Sequence, residues 1–145
     1  MNFEIVKTSI EGLVHIKSKV FGDDRGYFLE SYNQKTLREL GFDKIFVQDN
    51  ESKSKKGVLR GLHFQTKQTQ GKLVRCTFGK VLDIAVDLRK NSSTYGKWES
   101  AILDSDEKNM FYVPEAFAHG FLVLSDDAVF NYKCTDYYAP EYDGG

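Results

Sequence analysis

The chain has 145 residues, a size that one domain fills while burying roughly two-thirds of its unfolded surface. Its 20 basic and 21 acidic residues are mixed along the chain and leave a formal charge of −1, which argues against nucleic acid as a partner. There is no run of about 18 apolar residues and no basic segment leading into an apolar one, so neither a membrane span nor a signal peptide is indicated.

Eleven Phe, eight Tyr and one Trp, with many valines and isoleucines, favour strands over helices. In chain order, strands are expected in "LVHIKSKVF", "YFLESY", "KIFVQDNES", "GVLRGLHFQ" and "KLVRCTF". They continue in "VLDIAVDL", "KWESAIL", "MFYV", "GFLVLS" and "AVFNYKCTD". Only "NQKTLRELG" reads as a helix, with Asn33 as N-cap, Leu37 and Leu40 as its apolar edge and Gly41 closing it. Many short strands with one brief helix predict an all-β sandwich or barrel, the N-terminal third forming a separate sheet layer. No repeat or linker divides the chain. Cys76 and Cys134 each fall in an apolar run. Without an export signal they read as two buried thiols in a cytoplasmic protein.

Strand alternation sorts side chains by face. Lys72, Val74, Cys76 and Phe78 share one face, expected to be the core side, and Leu73, Arg75 and Thr77 the other. Phe130, Tyr132 and Cys134 point inward, with Asn131 and Lys133 outward. His119 shares a face with Phe121 and Val123, and Asp83 with Val81 and Ala85. A barrel interior therefore gathers Lys72, Tyr132, His119 and Asp83. Arg60 and His63 have opposite parity, but Gly61 lies between them, and a bulge there turns both toward one cavity. Burying such groups together without a ligand is costly, which marks the interior as a site.

Among His15, His63 and His119 there is no HxH or HxxxH pair, and Gln65 stands where a second strand-borne ligand would fall, so no metal site is predicted. Neither GxxxxGK[ST] nor a strand-borne GxGxxG occurs, and no serine elbow is present. Acid–base chemistry without a cofactor is what remains. A histidine can take a proton from carbon if a cation stabilises the resulting enolate, and a tyrosine can return one from the other side. Epimerisation needs that arrangement.

Five ordered stretches, "FGDDRGYFLESYN", "QDNESKSKKGVLRGLHFQ", "QGKLVRCTFGKVLDIAVDLRKNSSTYGKW", "VPEAFAHGFLVLSDDA" and "YKCTDYYAPEYDGG", resemble the dTDP-4-dehydrorhamnose 3,5-epimerases. The resemblance implies a metal-independent, cupin-like jelly roll spanning residues 1–145, with an N-terminal strand layer and one short helix. It implies epimerisation at carbons 3 and 5 of dTDP-4-dehydro-6-deoxy-D-glucose, giving dTDP-4-dehydro-L-rhamnose. By resemblance, His63 is the base, Tyr132 the acid and Lys72 the group facing the 4-keto oxygen. Arg60 and His119 are matched to substrate and diphosphate, and Gln48, Asp49 and Asn50 to the nucleotide sugar. Tyr138 and Asp143 are matched to further contacts, Asp143 in place of a common glutamate. Arg25, Phe28 and Glu30 are matched to a nucleotide-binding strand exchanged within a homodimer. Family members continue past the "GG" into a segment supplying an aspartate to the base, a role for which Asp83 is the expected partial substitute. Two other readings stand beside this one: a single-carbon epimerase on a related 4-keto sugar, and a silent nucleotide-sugar-binding barrel.

Overall fold

A computed structural model of the chain describes residues 2–142. Four short strands come first: β1 (Phe3–Lys7), β2 (Val14–Ser18), β3 (Val20–Asp23) and β4 (Gly26–Leu29). A helix, α1 (Gln34–Glu39), precedes β5 (Gln48–Lys55) and β6 (Leu59–His63). Then follow β7 (Lys72–Phe78), β8 (Lys80–Asp87) and β9 (Trp98–Asp104). The series ends with β10 (Asn109–Val113), β11 (Phe117–Val123) and β12 (Asp127–Cys134).

Strands β5 to β12 fall into two facing layers, ordered β5-β12-β7-β10 and β6-β11-β8-β9. Early strands lie beside late ones in both layers, and the pairs are antiparallel. That is the strand order of a jelly roll. The expected separate N-terminal layer is only partly there. Strands β1 and β2 instead extend the first layer beyond β10 to six strands, and only β3 and β4 stand apart, paired with each other.

Local chemistry accounts for several boundaries. Lys19, whose N–H donates to the Asn2 carbonyl at 2.7 Å, separates β2 from β3 within what reads as one strand. The polar run "QDNESKSK" is a strand because β12 pairs with all of it, from Gln48 opposite Cys134 to Lys55 opposite Asp127. The Asn33 side chain accepts the Thr36 N–H at 3.1 Å, and Gly41, at φ +94°, takes the left-handed turn that ends α1. Leu37 is buried under this helix, but Leu40 is exposed rather than part of its apolar edge.

Two apolar clusters flank the six-stranded sheet. Between the layers, Val74, Cys76, Phe111, Val113 and Phe130 meet Val81, Ala85, Leu103, Phe121 and Val123. On the outer side, Leu73, Met110 and Tyr112 pack with Phe3, Ile16, Leu37 and Phe42. Strand β7 is therefore buried on both faces, which moves Leu73 into a core, whereas Phe78 at its end is exposed.

Candidate active site

The site begins at the glycine that interrupts β6. His63 lies opposite His119, and Arg60 opposite Phe121, so β6 carries one more residue than β11 between these pairs. This is the bulge expected at Gly61. A Cβ on Gly61 would stand 2.6 Å from the His119 carbonyl oxygen, and its φ of +107° suits glycine alone. The bulge turns His63 into a cavity of about 370 Å³ at the open end of the barrel. That volume lies within the range that holds a small organic ligand.

Lys72, at the start of β7, places its ammonium 5.5 Å from the Tyr132 ring centroid. Tyr132 comes from β12, opposite Asn50 of β5. Burial raises the Tyr132 phenol above its ordinary value, and the neighbouring Asn50 amide and the positive charge of Arg60 act against that rise. The bulge was expected to turn Arg60 toward the cavity as well, but Arg60 is not among its lining residues; its Nε–H donates to the Ser54 hydroxyl at 2.8 Å. His119 Nε2 lies 2.8 Å from Asp83 Oδ2 inside the barrel. Burial raises the Asp83 carboxyl, with His119 and then Lys72 opposing the shift. Burial pushes the Cys134 thiol up to about 11, so this sulfur is no thiolate nucleophile at neutral pH.

The structure gathers His63, Lys72, Tyr132, His119, Gln48, Asn50 and Tyr138 around the one cavity. Others of the expected residues go elsewhere. Asp49 lies on the opposite face of β5 from Gln48 and Asn50 and pairs with Lys133 at 3.0 Å, because adjacent strand residues point to opposite faces. Asp83 serves His119 and does not reach His63 as a substitute partner; among the described residues no side chain hydrogen-bonds the His63 ring. Arg25, Phe28 and Glu30 stay outside the cavity on or beside the β3–β4 hairpin. Arg25 pairs with Asp23 at 2.7 Å, Phe28 is exposed, and the Glu30 carboxylate accepts from Asn2 and Asn33. Asp143 lies outside the described residues.

One wall escaped the sequence reading. Phe64, Gln65, Thr69 and Gln70 follow β6 and line the cavity. The Ala139 N–H donates to Gln65 Oε1 at 3.0 Å, and Gln70 Nε2 donates to the Asp136 carbonyl at 2.8 Å. Three glutamines within "QTKQTQG" were the available signal, since amides can satisfy backbone groups of a distant segment. Among the described residues no set of three or more His, Cys, Asp or Glu side chains is arranged to hold a metal ion, and no helix is long and apolar enough to cross a membrane.

Fold and cavity together define a jelly-roll barrel whose cavity is lined by a histidine, a lysine and a tyrosine suited to moving protons on a bound molecule. Comparison with known proteins gives that class its family. The chain belongs to the dTDP-4-dehydrorhamnose 3,5-epimerase family, whose model matches residues 7–145. The dTDP-4-dehydrorhamnose 3,5-epimerase of Methanothermobacter thermautotrophicus is 54% identical over 143 residues, covering 99% of this chain and 77% of that protein. A crystal structure of the Elizabethkingia anophelis enzyme of the same name matches with a TM-score of 0.93 and 52% identity, over 100% of this chain and 80% of that one. The Legionella pneumophila dTDP-6-deoxy-D-glucose-3,5-epimerase, crystallised with dTDP-4-keto-L-rhamnose, matches with a TM-score of 0.93 and 53% identity, over 97% of this chain and 76% of that one.

Proposed function

We propose that this chain epimerises dTDP-4-dehydro-6-deoxy-D-glucose at carbons 3 and 5 to dTDP-4-dehydro-L-rhamnose, and that His63, Lys72 and Tyr132 carry the chemistry. The observation that supports these roles is the convergence of the three side chains, from β6, β7 and β12, on one cavity. His63 removes the proton next to the 4-keto group, and the electron pair of the C–H bond moves to the ketone oxygen. The Lys72 ammonium stabilises that enolate. Tyr132 then gives its phenolic proton to the other face of the same carbon, leaving a phenolate to be reprotonated from solvent. Carbons 3 and 5 both flank the ketone, so one enolate chemistry serves both.

A homodimer belongs to this proposal. Among the described residues strands β3 and β4 pair only with each other, and they leave Phe21, Tyr27 and Phe28 exposed. Pairing that hairpin with a second copy would remove an open edge and carry Arg25 and Phe28 to the partner's cavity. The two buried, unpaired thiols support a cytoplasmic setting.

Solvent exchange tests the reaction. The protein, given dTDP-4-keto-6-deoxyglucose in deuterium oxide, should label carbons 3 and 5 and form the L-rhamno product. Label at one carbon would make it a single epimerase. Tight dTDP binding with no label would make it a silent barrel.

A further inference from the structure

Beyond β12 the chain leaves the sheet, and its backbone is taken up by glutamine side chains. The Thr135 N–H still donates to a backbone group, the Gly71 carbonyl at 2.9 Å. After it, Gln70 Nε2 donates to the Asp136 carbonyl at 2.8 Å and Gln68 Nε2 to the Tyr137 carbonyl at 3.1 Å. Gln48 Oε1 then accepts the Tyr138 N–H at 3.2 Å, and Gln65 Oε1 the Ala139 N–H at 3.0 Å. Four successive residues are thus each held by a different glutamine. A backbone N–H only donates and a carbonyl only accepts, so each amide takes its orientation from its backbone partner. Two of the amides are used at both ends. Gln65 Nε2 bonds the Gln68 carbonyl within its own loop, and Gln48 Nε2 donates to Asn50 Oδ1 at 3.1 Å.

Satisfying the backbone does not require this arrangement. Tyr137 and Tyr138 are exposed, and solvent serves exposed backbone groups. A glutamine also loses much rotamer freedom when it is fixed. What the arrangement secures is the residue held within it. Tyr138 lines the cavity, beside Gln48, Gln65 and Gln70, whereas Gln68 does not line it.

We propose that Gln65, Gln68 and Gln70, with Gln48, are positioning residues that clamp the backbone of residues 136–139 and so make Tyr138 a fixed wall of the binding cavity. The proposal rests on the reading of that cavity as a nucleotide-sugar site. Gln48 comes from β5 of one layer and the other three from the loop after β6 of the second layer, so the segment is held from both. A ring held in place before the ligand arrives need not be ordered by it, and binding keeps the free energy that ordering would cost. The effect therefore belongs to binding rather than to the proton transfers.

The test uses Gln65→Met, which keeps the bulk of a buried side chain, and Gln68→Met, at a position outside the cavity lining. Each is made alone and together with Tyr138→Ala. In the ligand-free protein, NMR should show the Tyr138 and Ala139 amides exchanging with solvent about tenfold faster in both single variants, with the β12 amides unchanged. The probe for binding is dTDP-glucose, which carries the nucleotide and a sugar but no ketone. Its Kd should rise about tenfold for Gln65→Met and about threefold for Gln68→Met. With the dTDP-linked 4-keto sugar, KM should rise in step while kcat stays within about twofold. In the Tyr138→Ala background the same replacements should change Kd by less than about 1.5-fold, because the ring they position is gone. Unmoved amide exchange in both variants would overturn the proposal. Kd changes of equal size in both backgrounds would do the same, since the glutamines would then act on the ligand without Tyr138, as would a lowered kcat with Kd kept. If the unaltered protein bound dTDP-glucose but turned nothing over, only the epimerase reading would fail. If it bound no dTDP-glucose, the nucleotide-sugar reading would fail, and amide exchange would still decide whether the glutamines fix Tyr138.

Discussion

His63 and Tyr132 differ in how much of their surroundings they need. His63 sits at a strand end with its ring toward the cavity, so His63→Asn changes little packing. This substitution should cut deuterium uptake by a factor of about a hundred to ten thousand, with dTDP affinity in equilibrium binding largely kept. Near-normal uptake would remove His63 from the role of base. Tyr132 is half-buried against Phe130, whose ring centroid is 5.9 Å away. Tyr132→Phe keeps that contact and deletes only the hydroxyl, so the melting temperature should hold while inversion stops. Full inversion in this variant would leave Tyr132 as packing alone.

At the scale of elements, two features shape the cavity from outside it. Gly61 and Gly120 let β6 and β11 approach, and a Cβ on Gly120 would stand 2.8 Å from the Arg60 carbonyl. Gly61→Ala should therefore push β6 away, costing about 1–3 kcal/mol in a denaturation curve and lowering turnover by displacing His63 from its place opposite His119. The second feature is the loop after β8. The fully buried Asp87 carboxylate accepts from the Arg89 guanidinium at 3.0 Å and from the hydroxyls of Ser92 at 2.8 Å and Thr94 at 2.5 Å. Arg89 also lies 4.9 Å from the centroid of the Phe117 ring, which lines the cavity. Burial works against the charged form of Asp87, but these donors outweigh it and hold the group well below its ordinary value of 3.8. Its folded-state value is thus depressed. The contribution to stability is full above the ordinary value and is lost as pH falls through the depressed one. Asp87→Ala should cost about 3–5 kcal/mol at pH 7, and the gap to the unaltered protein in urea midpoints should narrow in acid.

At the scale of the whole molecule, the β3–β4 hairpin bears on assembly. The β3–β4 hairpin touches its own barrel at few points, one being Lys108, whose ammonium lies 3.9 Å from the Tyr27 ring centroid. Phe28, two-thirds exposed at 67%, is an aromatic side chain directed at solvent. If a second copy covers it, sedimentation should give a dimer. Phe28→Asp should then shift the mass toward monomer and weaken dTDP binding about tenfold, since such buried aromatic anchors carry much of an interface's energy. A monomer that binds dTDP tightly would show each cavity to be complete in one chain.

Much of this protein is local in origin and so was legible in the residues. Alternation placed Phe130, Tyr132 and Cys134 inward and Val81, Asp83 and Ala85 together, because side-chain direction along a strand depends only on position parity. Gly61 between Arg60 and His63 marked the bulge, and Asn33 and Gly41 marked the helix ends, since each acts on its own backbone. What tertiary structure alone decided was pairing at a distance. Asp83 meets His119 across 36 positions of chain, and the glutamines after β6 tie to residues 136 and 139. Strand β1 exists because β2 pairs with it, and Leu73 is core because a second cluster covers the outer face of β7. The partners of a strand or a buried carboxylate are set by sheet order and register, which no single stretch of sequence contains.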